Sequence, residues 1–138
     1  IDGTEEKEIV KSKTSYEEPK LKRVLSKREL LELQDLVHAV PVSDFAAEYA
    51  IKMVRATRPQ DTDRKYVKEY VTWGAGPRAS QYLVVGAKCH AALKGKYSPD
   101  IEDVKAVAMP VLRHRLVRNY RAEADGVSIE KIINDLMV

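Results

Sequence analysis

Apolar side chains recur along most of this chain at the three- and four-residue steps of a helix. Leu30, Leu33 and Val37 share one face, widened by Leu36. Ser26 and Glu29 precede them as a capping box, in which hydroxyl and carboxylate each satisfy a backbone N–H at the helix start. Pro41 stops that helix. Ser43 caps the next, where Ala46, Tyr49, Ala50, Met53, Val54 and Thr57 keep the rhythm as far as Arg58-Pro59. Residues 59–64 form a polar loop. The stretch from Tyr66 to Trp73 mixes aromatic and β-branched residues without a clean period, compatible with a short strand or a helical turn.

Gly74-Ala75-Gly76-Pro77 opens a third long helix, because proline's missing N–H costs nothing at the first helical position. Ala79, Tyr82, Leu83, Val85, Gly86, Ala87, Cys89 and Leu93 cover most of its circumference, leaving Gln81 and Lys88 as a narrow polar stripe. A helix apolar nearly all round is expected at the centre of a bundle. Gly95 ends it. Ser98-Pro99-Asp100 starts another, with Asp100, Glu102 and Asp103 favoured at the positive end of the helix dipole. Ile101, Val104 and Ala108 face inward, and Pro110 is expected to kink or end that helix. A turn at Gly126 leads to Ser128 and a last short helix carrying Ile132, Ile133 and Leu136. The pattern predicts an all-α fold, a small bundle of about five helices.

Residues 1–24 differ. Six acidic and six basic side chains there surround few apolar ones. Thr4, followed by Glu5 and Glu6, predicts the cap of a short helix through Lys11, and Ser15 to Pro19 reads as a linker. The chain begins Ile1-Asp2-Gly3 and not with Met, as expected of a piece cut or processed from a longer protein.

A length of 138 residues predicts one domain. An apolar content of 44% excludes disorder throughout. The single Cys89 excludes a disulfide scaffold, and no apolar run approaches the roughly 18 residues that span a bilayer. A soluble, cytoplasmic domain is expected. The net charge of +3 is too small to argue for nucleic acid.

Candidate chemistry is sparse. His38, His90 and His114 lie far apart, and the adjacent Cys89 and His90 diverge by about 100° on a helix. Neither a metal site nor a Cys–His nucleophile pair is expected, and Cys89 reads as a core residue. Glu5-Glu6, Glu17-Glu18 and Glu102-Asp103 read as solvated helix starts. Gly95-Lys96 is no phosphate loop, since His90 stands where the upstream glycine belongs and Tyr97 replaces Ser or Thr. No catalytic residue is expected in this chain. Lys105, Arg113, Arg115, Arg118 and Arg121, with His114 and Tyr120 among them, form a basic stretch without an acid. A solvated or interdomain face accounts for it better than a nucleic-acid surface, because it carries no reader motif.

Arg78 is the informative residue. In the first turn of its helix a cation opposes the dipole, at a cost of roughly 0.3–1 kcal/mol. With the open turn before it, this points to an anion met by both helix start and guanidinium. The plainer alternative is that Arg78 turns away from the terminus or pairs with a neighbouring acid.

Gly74-Ala75-Gly76-Pro77-Arg78-Ala79-Ser80 resembles the sensor-2 motif of the MoxR family of AAA+ ATPases. Ala56-Thr57-Arg58-Pro59 resembles the helix end before that motif, and Ala108-Met109-Pro110-Val111-Leu112-Arg113-His114-Arg115-Leu116 a later block. The resemblance implies that residues 25–138 are the family's C-terminal helical lid and residues 1–24 the tail of the preceding ATPase core with its linker. It implies that Arg78 reaches the γ-phosphate of ATP, with Gly76 and Pro77 shaping the approach, while the core holds the nucleotide and its magnesium. Gly76 departs from the serine common in the family, which removes a possible cap. The implied partners are that core, neighbouring subunits of a ring and a von Willebrand factor A-domain protein; nucleic acid and membrane are not among them. The basic stretch would then face the core or a neighbour. The rival expectations are a free-standing helical adaptor that captures a protein partner without nucleotide, and a DNA-binding helical domain whose affinity falls steeply with salt.

Overall fold

The structure, a computed structural model, describes residues 2–14 and 20–137. Its elements are α1 (Gly3–Thr14), α2 (Lys27–Ala39), α3 (Asp44–Ala56), α4 (Lys65–Tyr70), β1 (Val71–Trp73), α5 (Pro77–Leu93), α6 (Ile101–Leu112), β2 (Val117–Arg118), α7 (Tyr120–Ala124) and α8 (Ile129–Leu136). The fold is all-α apart from one two-stranded antiparallel sheet of β1 and β2. The chain divides into two compact units between Leu31 and Glu32, a division that falls within α2.

In the first unit, α1 has no buried residue. Asp2, not Thr4, caps it: its Oδ1 accepts from the amides of Thr4 at 2.7 Å and Glu5 at 3.0 Å. The cap therefore sits two residues earlier than expected, and the helix runs past Lys11 to Thr14. The linker reading of residues 15–19 lies outside the described residues. The capping box at the start of α2 is formed, Ser26 Oγ accepting from Glu29 N at 3.1 Å and Glu29 Oε2 from Ser26 N at 2.6 Å. The apolar face of α2 is not buried: Leu30, Leu33 and Leu36 keep about half their surface exposed. Helical spacing shows that a face can be covered, not that its cover lies in the same chain.

The second unit holds the core. Ala50, Met53 and Val54 of α3, Ala79, Leu83 and Ala87 of α5, and Val104, Ala108 and Leu112 of α6 are buried together, closed by Ile132, Ile133 and Leu136 of α8. Ser43 caps α3 and Ser128 caps α8, as their positions predict. α5 packs against both α3 and α6. Tyr82 and Leu93, counted in its apolar circumference, are exposed, and Cys89 is half-buried rather than in the core. Gly95 ends α5 with φ +70°, a left-handed conformation that a side chain disfavours, and Lys96 N reaches back to Ala91 O at 2.9 Å. Pro110 does not end α6, which continues to Leu112.

The irregular residues 59–73 resolve into both options that their pattern left open, α4 followed by β1. β1 pairs with β2, Val71 opposite Arg118 and Trp73 opposite Val117. Residue contacts set the register of the α5–α6 hairpin. His90 meets Asp103, a Cβ on Gly86 would stand 3.2 Å from Val107, and Arg115 lies over Tyr82. The two helices thus run antiparallel. The start of α5 and the end of α6 share one end of the hairpin, which β1 and β2 close.

Candidate functional site

That closed end carries Arg78. Gly76 is the N-cap of α5 with extended backbone, φ −82° and ψ 177°, and supplies no side-chain cap. Pro77 brings no N–H, and Ala79 N returns to Gly76 O at 2.9 Å. The first turn has no acid. The amide and guanidinium of exposed Arg78 are the donors this turn offers, and among the described residues no acid or carbonyl pairs with the guanidinium.

The loop before α5 is fixed from α3. Thr57, fully buried at the end of α3, donates through Oγ1 to Val54 O at 2.6 Å and accepts from Ala75 N at 2.8 Å. Arg58 Nε donates to Ala75 O at 3.0 Å, while its Nη1 meets Asp61 at 3.4 Å. Both polar groups of the Ala75 backbone are thereby held by consecutive residues. Gly74 lies so close to this pair that a Cβ there would stand 2.6 Å from the Thr57 carbonyl carbon and 2.8 Å from Arg58 Cα. Gly76, in contrast, has open space around its missing side chain. The steric need for glycine in this loop lies at Gly74; the sequence marks Gly74-Ala75-Gly76-Pro77 as a place of close backbone approach but not which glycine is crowded, because the Thr57-Arg58 end of α3 decides that only once it is packed against the loop.

The cations of the basic stretch have different partners. Lys105 pairs with Glu102 at 3.4 Å. Arg118 Nη1 donates to Val127 O at 2.7 Å. Arg121 pairs with Glu69 at 2.7 Å and with Asp125 at 3.6 Å. Arg113, His114 and Arg118 line an open cavity of about 330 Å³ with Ser128, Ile129 and Glu130. The carboxyl of Glu130 is held below its ordinary value by its own amide first, then by Ser128, with Arg113 and Arg118 adding attraction. Arg115 lies over the ring of Tyr82, 5.0 Å from its centroid.

A second polar cluster occupies the opposite end of the hairpin. Asp103, expected on a solvated position, is fully buried. It accepts from His90 Nδ1 at 2.7 Å, Lys96 Nζ at 2.9 Å and Asp100 N at 3.0 Å. Burial alone would raise its carboxyl. The Asp100 amide, the Lys96 ammonium and the His90 ring outweigh that and hold it well below the ordinary 3.8. Asp100 and Asp103 form a capping box, a signal present in the sequence as acids three positions apart at a helix start. Among the described residues no group of three or more His, Cys, Asp or Glu could hold a metal ion, and no helix is long and apolar enough to cross a membrane.

A family model described as AAA lid domain matches residues 63–136. The chain is 37% identical over 134 residues to chaperone MoxR1 of Mycobacterium tuberculosis, covering 96% of this chain and 35% of that protein. It is 27% identical over 117 residues to the uncharacterized protein YeaC of Bacillus subtilis, covering 85% of this chain and 34% of that protein. A crystal structure of a "putative ATPase" from Cytophaga hutchinsonii matches with TM-score 0.79 and 30% identity, over 99% of this chain and 42% of that one. The chain thus spans about a third of the length of the curated relatives it matches.

Proposed function

The chain belongs to the AAA lid domain family, as a lid of the MoxR type, and on that premise we propose that it closes over ATP held by a separate ATPase core and reports the state of the γ-phosphate through Arg78. The observation that carries this reading is Arg78 itself, an exposed cation in an acid-free, side-chain-uncapped first turn, opposed by its own helix dipole and without a partner among the described residues. A phosphate oxygen relieves that opposition.

The residues fit an anionic group but not its metal. Arg78 offers planar donors for phosphate, and the residues that would hold magnesium belong to the core. Thr57 and Arg58 hold the Ala75 backbone, so Arg78 is presented from a loop tied to the end of α3. When the γ-phosphate is present Arg78 binds it and draws the lid inward; when it leaves, Arg78 loses its partner and the lid angle relaxes. Residues 25–138 act as the lid, and residues 1–24 as the tail of the core. The full-length parent is then a cytoplasmic ring ATPase. Its partners are its own core, neighbouring subunits and a von Willebrand factor A-domain protein. The Mycobacterium relative is named a chaperone, and chaperone-like remodelling is the corresponding proposal for this chain's parent.

The test is ATPase assay and nucleotide titration of the full-length parent with Arg78→Ala. A loss of about tenfold or more in kcat/KM is expected, the size of one charge-assisted hydrogen bond. Unchanged turnover with unchanged affinity would overturn the reading.

A further inference from the structure

Arg115 follows the end of α6, and its guanidinium crosses to α5. Tyr82 stands four residues after Arg78, so the two side chains are neighbours on one face of α5. Helical side chains lean toward the N-terminus, which directs the ring of Tyr82 toward the Arg78 end of α5. Arg115 stacks on that half-exposed ring at 5.0 Å, within the range of a cation–π contact. Its Nη1 donates to Val111 O and to His114 Nε2. Neither acceptor is a carboxylate, and among the described residues no acid pairs with Arg115.

We infer that Arg115 is a second cation of the phosphate-facing site, positioned there by Tyr82; the inference rests on the reading of Arg78 above. Two cations directed to the positive end of a 17-residue helix are each favoured by an anion bound there. The ligand chemistry that satisfies both is a terminal phosphate with several oxygens, one for each planar donor. The bond to Val111 O caps α6 and would exist without any ligand. The stack on Tyr82 belongs to the other helix, and it carries the charge to the Arg78 face.

The experiment measures equilibrium affinities of the full-length parent for a non-hydrolysable ATP analogue and for ADP, each with magnesium, alongside Tm. Arg115→Gln is expected to weaken the analogue about tenfold and ADP by less than about threefold. Tyr82→Leu, which keeps the Arg115 side chain but removes the ring that positions it, is expected to lose analogue affinity with the same selectivity, and Tyr82→Phe to recover most of that loss. Combined with Arg78→Ala, Arg115→Gln is expected to cost less than the product of the two single effects, because both act on one group. If Arg115→Gln does not fold, Tyr82→Leu decides alone. Variants that keep analogue affinity, or that lose analogue and ADP equally, would overturn the inference. Arg78→Ala losing the discrimination while Arg115→Gln and Tyr82→Leu keep it removes Arg115 alone. All three keeping it removes the reading of Arg78, and this inference with it.

Discussion

Gly74 stands against the Thr57–Arg58 peptide that follows α3, with Arg58 Cα 2.8 Å from where a Cβ would be. The contact joins two blocks of sequence separated by a loop, a short helix and a strand, and it sets where α5 begins. Gly74→Ala is expected to lower stability by about 2 kcal/mol, because the obstructing atoms are backbone and cannot swing aside. Gly76 has open space and ordinary N-cap torsions, so Gly76→Ser adds a cap and a few tenths of a kcal/mol. Urea unfolding of the two variants separates the positions, and equal effects would refute the assignment.

Thr57 is the polar counterpart of that contact. Thr57→Val keeps the shape but leaves the buried amide of Ala75 without its acceptor, a loss of about 2 kcal/mol. Thr57→Ser keeps the hydroxyl and is expected to cost less than half as much. Hydrogen exchange at the Ala75 amide gives the direct reading, accelerated in the valine variant and near wild type in the serine variant.

Asp103 makes the second unit sensitive to acid. Its folded carboxyl is held below 3.8, so it binds its proton less readily than in the unfolded chain. The stabilisation it brings is present above about pH 5 and is lost as pH falls below 3.8 toward the folded value. Asp103→Asn is expected to cost about 3 kcal/mol at neutral pH, since it takes the buried charge from His90 and Lys96. The gap between variant and wild type narrows as pH drops from 4 to 2. A gap independent of pH would contradict the argument.

Arg121 provides a contrast. Its side chain is 57% exposed although it meets Glu69 at 2.7 Å. Exposed pairs are screened and hold two long side chains at an entropic cost, so Arg121→Ala is expected to cost less than about 1 kcal/mol. Chemical denaturation at low and high salt tests this, the small difference shrinking further as salt rises.

The local grammar of the chain was legible because it depends on neighbours in sequence. Ser26 with Glu29, Ser43, Pro77, Gly95 and Ser128 each mark a boundary through backbone groups a few residues away, and each boundary is where its signal lies. Arg78 in the first turn of α5 follows from the same local logic. The failures share a cause too. Asp2 displaced Thr4 as the cap of α1 because its carboxylate takes the amides of Thr4 and Glu5, which puts Thr4 inside the first turn. Asp103 looked solvated because adjacent acids usually are, whereas His90 and Lys96 reach it from elsewhere in the hairpin.

The chain by itself determined that this is a helical domain with an exposed arginine at an open helix start, since periodicity, caps and helix dipoles act within a few residues. Packing alone decided the rest. The antiparallel register of α5 and α6 brings Arg115 over Tyr82 and buries Asp103 beside His90. The docking of residues 57–58 on residues 74–75 singles out Gly74. These contacts join residues far apart in sequence, and their energy comes from excluded volume and buried hydrogen bonds that exist only when the chain has folded.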